Sequence, residues 1–269
     1  MYDLVIIGGG IVGLSTAYQI MLEFPEKKIV IIEKEKKLAS HQTGNNSGVI
    51  HSGIYYKPRS LKAKNCRDGI LRLKQFCDTN DINYEICGKL IIARSEEEIG
   101  ALKNLFVRGK ENGIRGLKII KKDEIPYYEP HAVGEAALYC PETGIINYLD
   151  VCKKLAFHLS KNCEIIKGEE ICKIEQGKAD ILISSKNLEL QTRFLINCAG
   201  LFSDMISQLA GFERESRIIP FRGEYYMLKN NARHLIKNLI YPVPNPNYPF
   251  LGVHFTRTID GGIEAGPNA

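Results

Sequence analysis

Tyr2-Asp3-Leu4-Val5-Ile6-Ile7-Gly8-Gly9-Gly10-Ile11-Val12-Gly13-Leu14-Ser15-Thr16-Ala17 opens the chain, and Ile29-Val30-Ile31-Ile32-Glu33 follows it. Tyr2 to Ile7 reads as a buried strand, the three glycines as a turn, and Ile11 to Phe24 as a helix. Pro25-Glu26-Lys27-Lys28 breaks the helix before a second apolar strand ending at Glu33. Continuous β-branched runs on either side of a helix indicate parallel strands covered on both faces, so the N-terminus is a βαβ unit. Gly8, Gly10 and Gly13 form G-x-G-x-x-G across the turn, with Glu33 at the end of the second strand. The glycines allow a tight turn, close backbone approach to a pyrophosphate and helix–strand contact, while the helix N-terminus favours negative charge. Glu33 can accept from ribose hydroxyls and would repel a 2′-phosphate, which argues against an NADP-type cofactor. A glycine-rich turn without a ligand is the plain alternative. It is disfavoured because strand, turn, helix, second strand and acid all fall in register. The motif does not separate FAD from NAD.

Working outward, the chain has 269 residues, 44% hydrophobic and 25% charged, the composition of one large or two ordinary globular domains. Its net charge of +5 is small and scattered, which excludes a nucleic-acid footprint but leaves room for an acidic lipid surface or an anionic substrate. The cysteines (Cys66, Cys77, Cys87, Cys140, Cys152, Cys163, Cys172, Cys198) form no CxxC and no zinc spacing. With no secretory pattern at the start, they read as free thiols in a reducing compartment, without a structural metal. Leu4 to Leu22 carries no charge and has the length of a membrane span. Three consecutive glycines near its start and the lack of a basic leader make it strand, turn and helix instead.

Beyond Glu33, Lys34 to Tyr56 is a long polar loop, of the kind ordered domains keep for a site. A helix is expected over 60–80, a strand over Tyr84 to Ala93, a helix over 96–112 and a strand over 118–121. An irregular region then runs to Gly144. A further helix is expected from Asp150, as its N-cap, to Ser160. Strand-like runs follow at 164–167, 170–175, 180–184 and 193–197, then a helix over 203–209. From Arg217 the pattern is β-rich and holds Pro220, Pro242, Pro244, Pro246 and Pro249.

The loop His41-Gln42-Thr43-Gly44-Asn45-Asn46-Ser47-Gly48-Val49-Ile50-His51-Ser52-Gly53-Ile54-Tyr55-Tyr56-Lys57-Pro58 separates the cofactor alternatives. With the N-terminal unit it resembles the D-amino-acid-oxidase-type FAD-dependent oxidoreductases, and in detail the L-2-hydroxyglutarate dehydrogenase/oxidase family. Cys87-Gly88-Lys89-Leu90, Cys140-Pro141-Glu142-Thr143-Gly144-Ile145 and Asn197-Cys198-Ala199-Gly200-Leu201-Phe202-Ser203-Asp204 extend the similarity. Pro220-Phe221-Arg222-Gly223-Glu224-Tyr225-Tyr226 and Leu251-Gly252-Val253-His254-Phe255 carry it to the end of the sequence.

The resemblance implies an α/β fold: a Rossmann-like FAD-binding domain over 1–85 and 145–215, interrupted by a β-rich (α+β) substrate domain over 86–144 and 216–269. It implies FAD-dependent oxidation of a 2-hydroxy acid, L-2-hydroxyglutarate to 2-oxoglutarate, by hydride transfer to the flavin. It also implies a longer chain, so Gly266-Pro267-Asn268-Ala269 would stop inside the substrate domain and the C-terminal part of the fold would be missing. Alternatives are another FAD enzyme of this fold, acting on an amino acid or glycerol 3-phosphate, and an inactive flavin-fold fragment. Oxygen or a membrane quinone would take the electrons. Location would be cytoplasmic, with any membrane association peripheral and no integral segment.

The implied cofactor residues are Gly8, Gly10, Gly13, Glu33, Thr43, Gly44, Asn46, Ser47, Gly48, Ala199 and Gly200. Asn45-Asn46-Ser47 also fits a glycosylation sequon, a reading at odds with a loop beneath a flavin. His51 is the first candidate base, against a purely structural histidine, and His254 the second, since abstraction of an alcohol proton needs a positioned acceptor. Tyr55 either packs or meets substrate. Arg222, set among Ile218, Ile219 and Phe221, needs an anion, either an internal carboxylate or the substrate. Arg257 poses the same question. His41 shapes the loop.

Overall fold

In the computed structural model the described residues are 1–213, 216–245, 247 and 252–268. Pro246, Pro249, Leu251 and Ala269, quoted above, lie outside them. The chain begins with β1 (Tyr2–Ile7), α1 (Ile11–Glu23), β2 (Ile29–Glu33), β3 (Val49–Ile50), α2 (Leu61–Thr79), β4 (Tyr84–Glu85) and β5 (Lys89–Ala93). It continues with α3 (Glu96–Glu111), β6 (Lys118–Lys121), α4 (Ile125–Tyr128), β7 (Ala136–Cys140), β8 (Gly144–Ile146), α5 (Tyr148–Leu159) and β9 (Cys163–Lys167). Then come β10 (Lys173–Gln176), β11 (Ile181–Ser184), β12 (Glu189–Asn197), α6 (Ser203–Leu209), β13 (Glu224–Met227), β14 (Leu239–Pro242), β15 (His254–Arg257) and β16 (Ile263–Asn268).

Two compact units result. One holds Met1–Asn46 and Tyr148–Pro220, the other Ser47–Asn147 and Phe221–Ala269. The division expected after residue 85 falls instead after Asn46. The reason is strand pairing: β3 and β4 both hydrogen-bond to β8, so the segment between them belongs to the second unit. The divisions expected at 145 and 216 fall at Tyr148 and Phe221.

The first unit is built on a sheet ordered β10-β11-β12-β1-β2-β9. β12, β1, β2 and β9 run parallel, and β11 and β10 extend the edge antiparallel. Val5, Ile6, Val30 and Ile31 are fully buried, as the unbroken apolar runs require of strands covered on both faces. The helix α5 packs beside α1. It starts at Tyr148, so Asp150 is not its cap; the carboxylate lies within the first turn and pairs with Lys153.

The second unit has a seven-stranded sheet, β13-β16-β15-β14-β5-β7-β6, and a small antiparallel sheet, β3-β8-β4. β14 lies parallel to β5, with Leu239 opposite Lys89. The single strand expected over Tyr84 to Ala93 is broken at Gly88 into β4 and β5. Gly88 has φ +80°, and the Tyr139 ring occupies the place a Cβ would take, 2.8 Å away. The helix α3 buries Leu102 and Leu105 in a core shared with Ile54, Ile91, Leu138 and Tyr241. Ser60 caps α2, its hydroxyl accepting from the Ala63 N–H at 3.2 Å.

The loop carrying His51 and Tyr55 is tied to the end of α3 by Asn112 and by Arg108, whose guanidinium donates to the Tyr55 carbonyl at 3.2 Å. Asn112 Nδ2 donates to the carbonyls of Gly53 at 3.0 Å and Tyr56 at 2.9 Å. Asn112→Ala leaves both carbonyls without that donor, and a loss of about 1–3 kcal/mol in unfolding free energy is expected by denaturant titration. Faster amide exchange confined to residues 53–57 is the accompanying sign; unchanged exchange there would show that the loop is held by other contacts.

Candidate functional site

The first unit forms a cavity of about 430 Å³ at the carboxyl ends of β1, β2 and β12, where open parallel sheets bind ligands. Its floor is the turn between β1 and α1. Gly8 has φ +114°, and a Cβ there would lie 2.3 Å from the Cys198 carbonyl oxygen. A Cβ on Gly13 would lie 1.9 Å from the Gly8 carbonyl oxygen, so no other residue fits without moving the turn. Gly10 caps α1 without a side-chain bond, and no acidic residue sits in the first turn. Thr43 Oγ1 accepts from the Ile11 N–H at 3.1 Å. The helix therefore offers its positive end to the cavity without a protein carboxylate to neutralise it.

Glu33 is buried and faces the same cavity. Its two oxygens accept from the Gly9 N–H at 2.7 Å and the Glu35 N–H at 2.9 Å. These bonds fix the carboxylate at the end of β2 and leave it lone pairs for diol hydroxyls. Lys34 and His41 both reach Glu35, at 3.1 Å each, and hold its carboxyl below the usual range. The Lys34 ammonium also lies 4.2 Å from the Phe202 ring centroid. Loop shaping is therefore what His41 does. Sequence reasoning missed the apolar wall of Ile171, Phe202, Met205 and Ile206, which comes from segments far along the chain. A glycine cradle, an acid at the second strand and a flat apolar wall fit the pyrophosphate, ribose and adenine of FAD.

Of the expected cofactor residues, Gly8, Gly10, Glu33, Thr43, Asn46, Ala199 and Gly200 line this cavity. Gly13, Gly44, Ser47 and Gly48 do not. Gly13 and Gly44 are needed where backbones meet: a Cβ on Gly44 would lie 2.4 Å from the Ala39 carbonyl oxygen. Gly48, with φ +66°, belongs with Ser47 to the second unit, where its carbonyl accepts from the Ile146 N–H at 2.8 Å.

In the second unit the two candidate histidines share one neighbourhood. His254 is 5% exposed on β15 and stacks on Tyr241 at 4.1 Å. Its Nδ1 lies 2.9 Å from the Gly252 carbonyl oxygen, which can only accept, so Nδ1 carries the proton and Nε2 keeps its lone pair. Burial lowers its pKa, as does Lys89, although the bond to Gly252 works the other way. His51 follows β3 as an exposed residue between the buried Ile50 and Ser52. The protein around its ring, then Lys89 and His254, push its pKa down to about 4. Both rings are neutral at pH 7.

Lys89, quoted in a motif but given no role, stands between them. It is 1% exposed, and its ammonium lies 4.5 Å from the Tyr55 ring centroid and 4.7 Å from that of Tyr241. Burial pushes its pKa down to about 8. A lysine leading the apolar run Leu90-Ile91-Ile92 is the sequence signal that identifies it, since such a strand buries whatever it carries.

The arginines are not drawn into this neighbourhood. Arg222 is 85% exposed and pairs with Glu224, while Ile219 and Phe221 beside it are exposed rather than core. Among the described residues the segment before β13 pairs with no strand, so the buried setting expected for Arg222 is absent and its observed anion is the internal carboxylate of Glu224. Arg257 pairs with Glu85.

A family model described as "FAD dependent oxidoreductase" (DAO) matches residues 3–269. The chain belongs to this family. L-2-hydroxyglutarate dehydrogenase of Indibacter alkaliphilus is 49% identical over 272 residues, covering 100% of this chain and 68% of the relative. The human mitochondrial enzyme of that name is 45% identical over 282 residues, covering 100% and 61%. The chain thus spans about two thirds or less of the curated relatives it matches. Among solved structures, L-α-glycerophosphate oxidase of Mycoplasma pneumoniae with FAD bound superposes at a TM-score of 0.85 with 27% identity, covering 99% of this chain and 71% of that one. L-Proline dehydrogenase of P. horikoshii, at a TM-score of 0.84 and 18% identity, shares the fold. Among the described residues no helix is long and apolar enough to cross a membrane, and no cluster could hold a metal ion.

Gly13→Val should displace the β1–α1 turn, and the purified variant should retain far less flavin per polypeptide than wild type, read from the ratio of visible to ultraviolet absorbance. Full flavin content in a folded Gly13→Val protein would remove this turn from the cofactor site.

Proposed function

We propose that the intact protein oxidises L-2-hydroxyglutarate to 2-oxoglutarate, with FAD held by the first unit and the substrate held by the second. The observation that carries this reading is the identity of 45–49% to L-2-hydroxyglutarate dehydrogenases across the whole chain. FAD, when bound, supplies the acceptor for the hydride that leaves C2. The chain itself must bind a dianion, orient its C2–H bond and remove the hydroxyl proton. A neutral imidazole is suited to the last task, and Nε2 of His254 is available because Nδ1 is committed to Gly252. His51, neutral and at the exposed end of the same neighbourhood, is the other acceptor. The eventual electron acceptor would be oxygen or a membrane quinone.

Anaerobic mixing of the flavin-loaded protein with L-2-hydroxyglutarate should bleach the flavin absorbance, whereas the D-enantiomer should not. Faster bleaching by glycerol 3-phosphate or an L-amino acid would replace this substrate with that of a structural relative. In the same assay the variant lacking the proton acceptor, His51→Ala or His254→Ala, should be slowed about 10²–10⁴-fold with flavin still bound. Full rates in both variants would end the case for histidine base catalysis.

A further inference from the structure

Lys89 is placed where a lysine is hardest to keep. It opens β5, which has β7 on one side and β14 on the other, and its side chain is closed off from solvent. Among the described residues no carboxylate forms an ion pair with it. The groups that favour its charge are the thiols of Cys140 and Cys66. The faces of Tyr55 and Tyr241 offset part of the desolvation, but an aromatic face is a weaker partner for an ammonium than an anion is. A second unmet group lies alongside: the Tyr55 hydroxyl is buried with no hydrogen-bond partner. An ammonium without an anion and a phenol without an acceptor, against the same ring, mark a place for an anionic oxygen ligand. Arg222 and Arg257 each already have a carboxylate, Glu224 and Glu85, although the Arg257 Nε is buried without a hydrogen-bond partner.

We propose that Lys89 is the cation that receives a carboxylate of the bound 2-hydroxy dicarboxylate, with the Tyr55 hydroxyl as its second donor. The proposal rests on the reaction assigned above and names the binding residue that assignment lacked. It also links binding to proton removal. The charge on Lys89 disfavours protonation of both His51 and His254, so a carboxylate that neutralises it makes either imidazole a better base. Among the described residues the titratable groups facing Lys89 are His51, Tyr55, Cys66, Cys140, Tyr241 and His254, and none of these is a carboxylate.

The test is Lys89→Met in the intact, flavin-loaded protein. An apolar residue of similar length in place of a buried ion is generally tolerated, so the variant should fold and keep its flavin. KM for L-2-hydroxyglutarate should rise on the order of 10²-fold or more, and Kd for glutarate, measured by calorimetry, should rise with it. The acid limb of the kcat/KM profile should move to higher pH, because removing a nearby cation raises the pKa of a histidine; the weaker glutarate binding is the readout that a merely structural lysine would not give. L-2-Hydroxybutyrate, which has no distal carboxylate, locates the contact. Impairment with the diacid alone assigns Lys89 to the distal carboxylate, and impairment with both acids assigns it to the carboxylate at C1.

Unchanged KM and glutarate Kd in the folded variant would overturn the proposal, as would a fall in kcat with KM unaltered. If Lys89→Met does not fold, glutarate should raise the Tm of wild type but not of Lys89→Gln, and equal rises in both would be just as adverse. Glutarate also separates the two readings. Wild type that binds glutarate through Lys89 yet oxidises no 2-hydroxy acid would refute the reaction and leave the carboxylate site standing.

Discussion

The approach of the α1 backbone to the β1–α1 turn sets the geometry of the first unit. A Cβ at residue 13 would lie 1.9 Å from the Gly8 carbonyl oxygen, so helix and turn are in contact without a side chain between them. Because α1 sits this low on the sheet, its first turn, whose Ile11 N–H bonds Thr43, faces the ends of β1 and β12. Glu33 then completes the arrangement, tying the end of β2 to the Gly9 N–H. A turn and an acid placed this way fit a phosphate and a ribose diol, and a side chain at residue 13 would displace the turn.

The second unit is governed by a different constraint, the burial of charge. An interior strand, β5, carries Lys89 into the protein, with aromatic faces at the ammonium and two neutral histidines nearby. An isolated unit would gain stability from an apolar residue there. Keeping the cation is understandable if its missing anion arrives with the substrate. Arg222, exposed and paired to Glu224, carries no comparable tension.

The polar stretch 34–56 serves both units in succession. Its first part, through Asn46, walls the cavity and supplies Thr43 to the helix terminus. Its second part forms β3 and the turns around His51 and Tyr55, held by Asn112. Its composition marks it as functional, but the change of unit between Asn46 and Ser47 depends on the pairing of β3 with β8 nearly one hundred residues later.

The sequence by itself determined the βαβ unit, the glycine turn and the ribose acid, because each depends on residues within a few turns of one another. The family likewise follows from motifs spread along the chain. Tertiary structure alone decided the unit boundaries, the fate of Arg222 and Arg257, and the meeting of Lys89 with Tyr241 and His254. Those three residues lie on β5, β14 and β15, brought together by a parallel pairing of Lys89 with Leu239 and the antiparallel pairing of β14 with β15. Local periodicity shows that a strand is buried but not which strand will lie beside it. The partner of a buried charge is set by that long-range register, and so only the folded chain shows that, among the described residues, aromatic faces and no carboxylate meet Lys89.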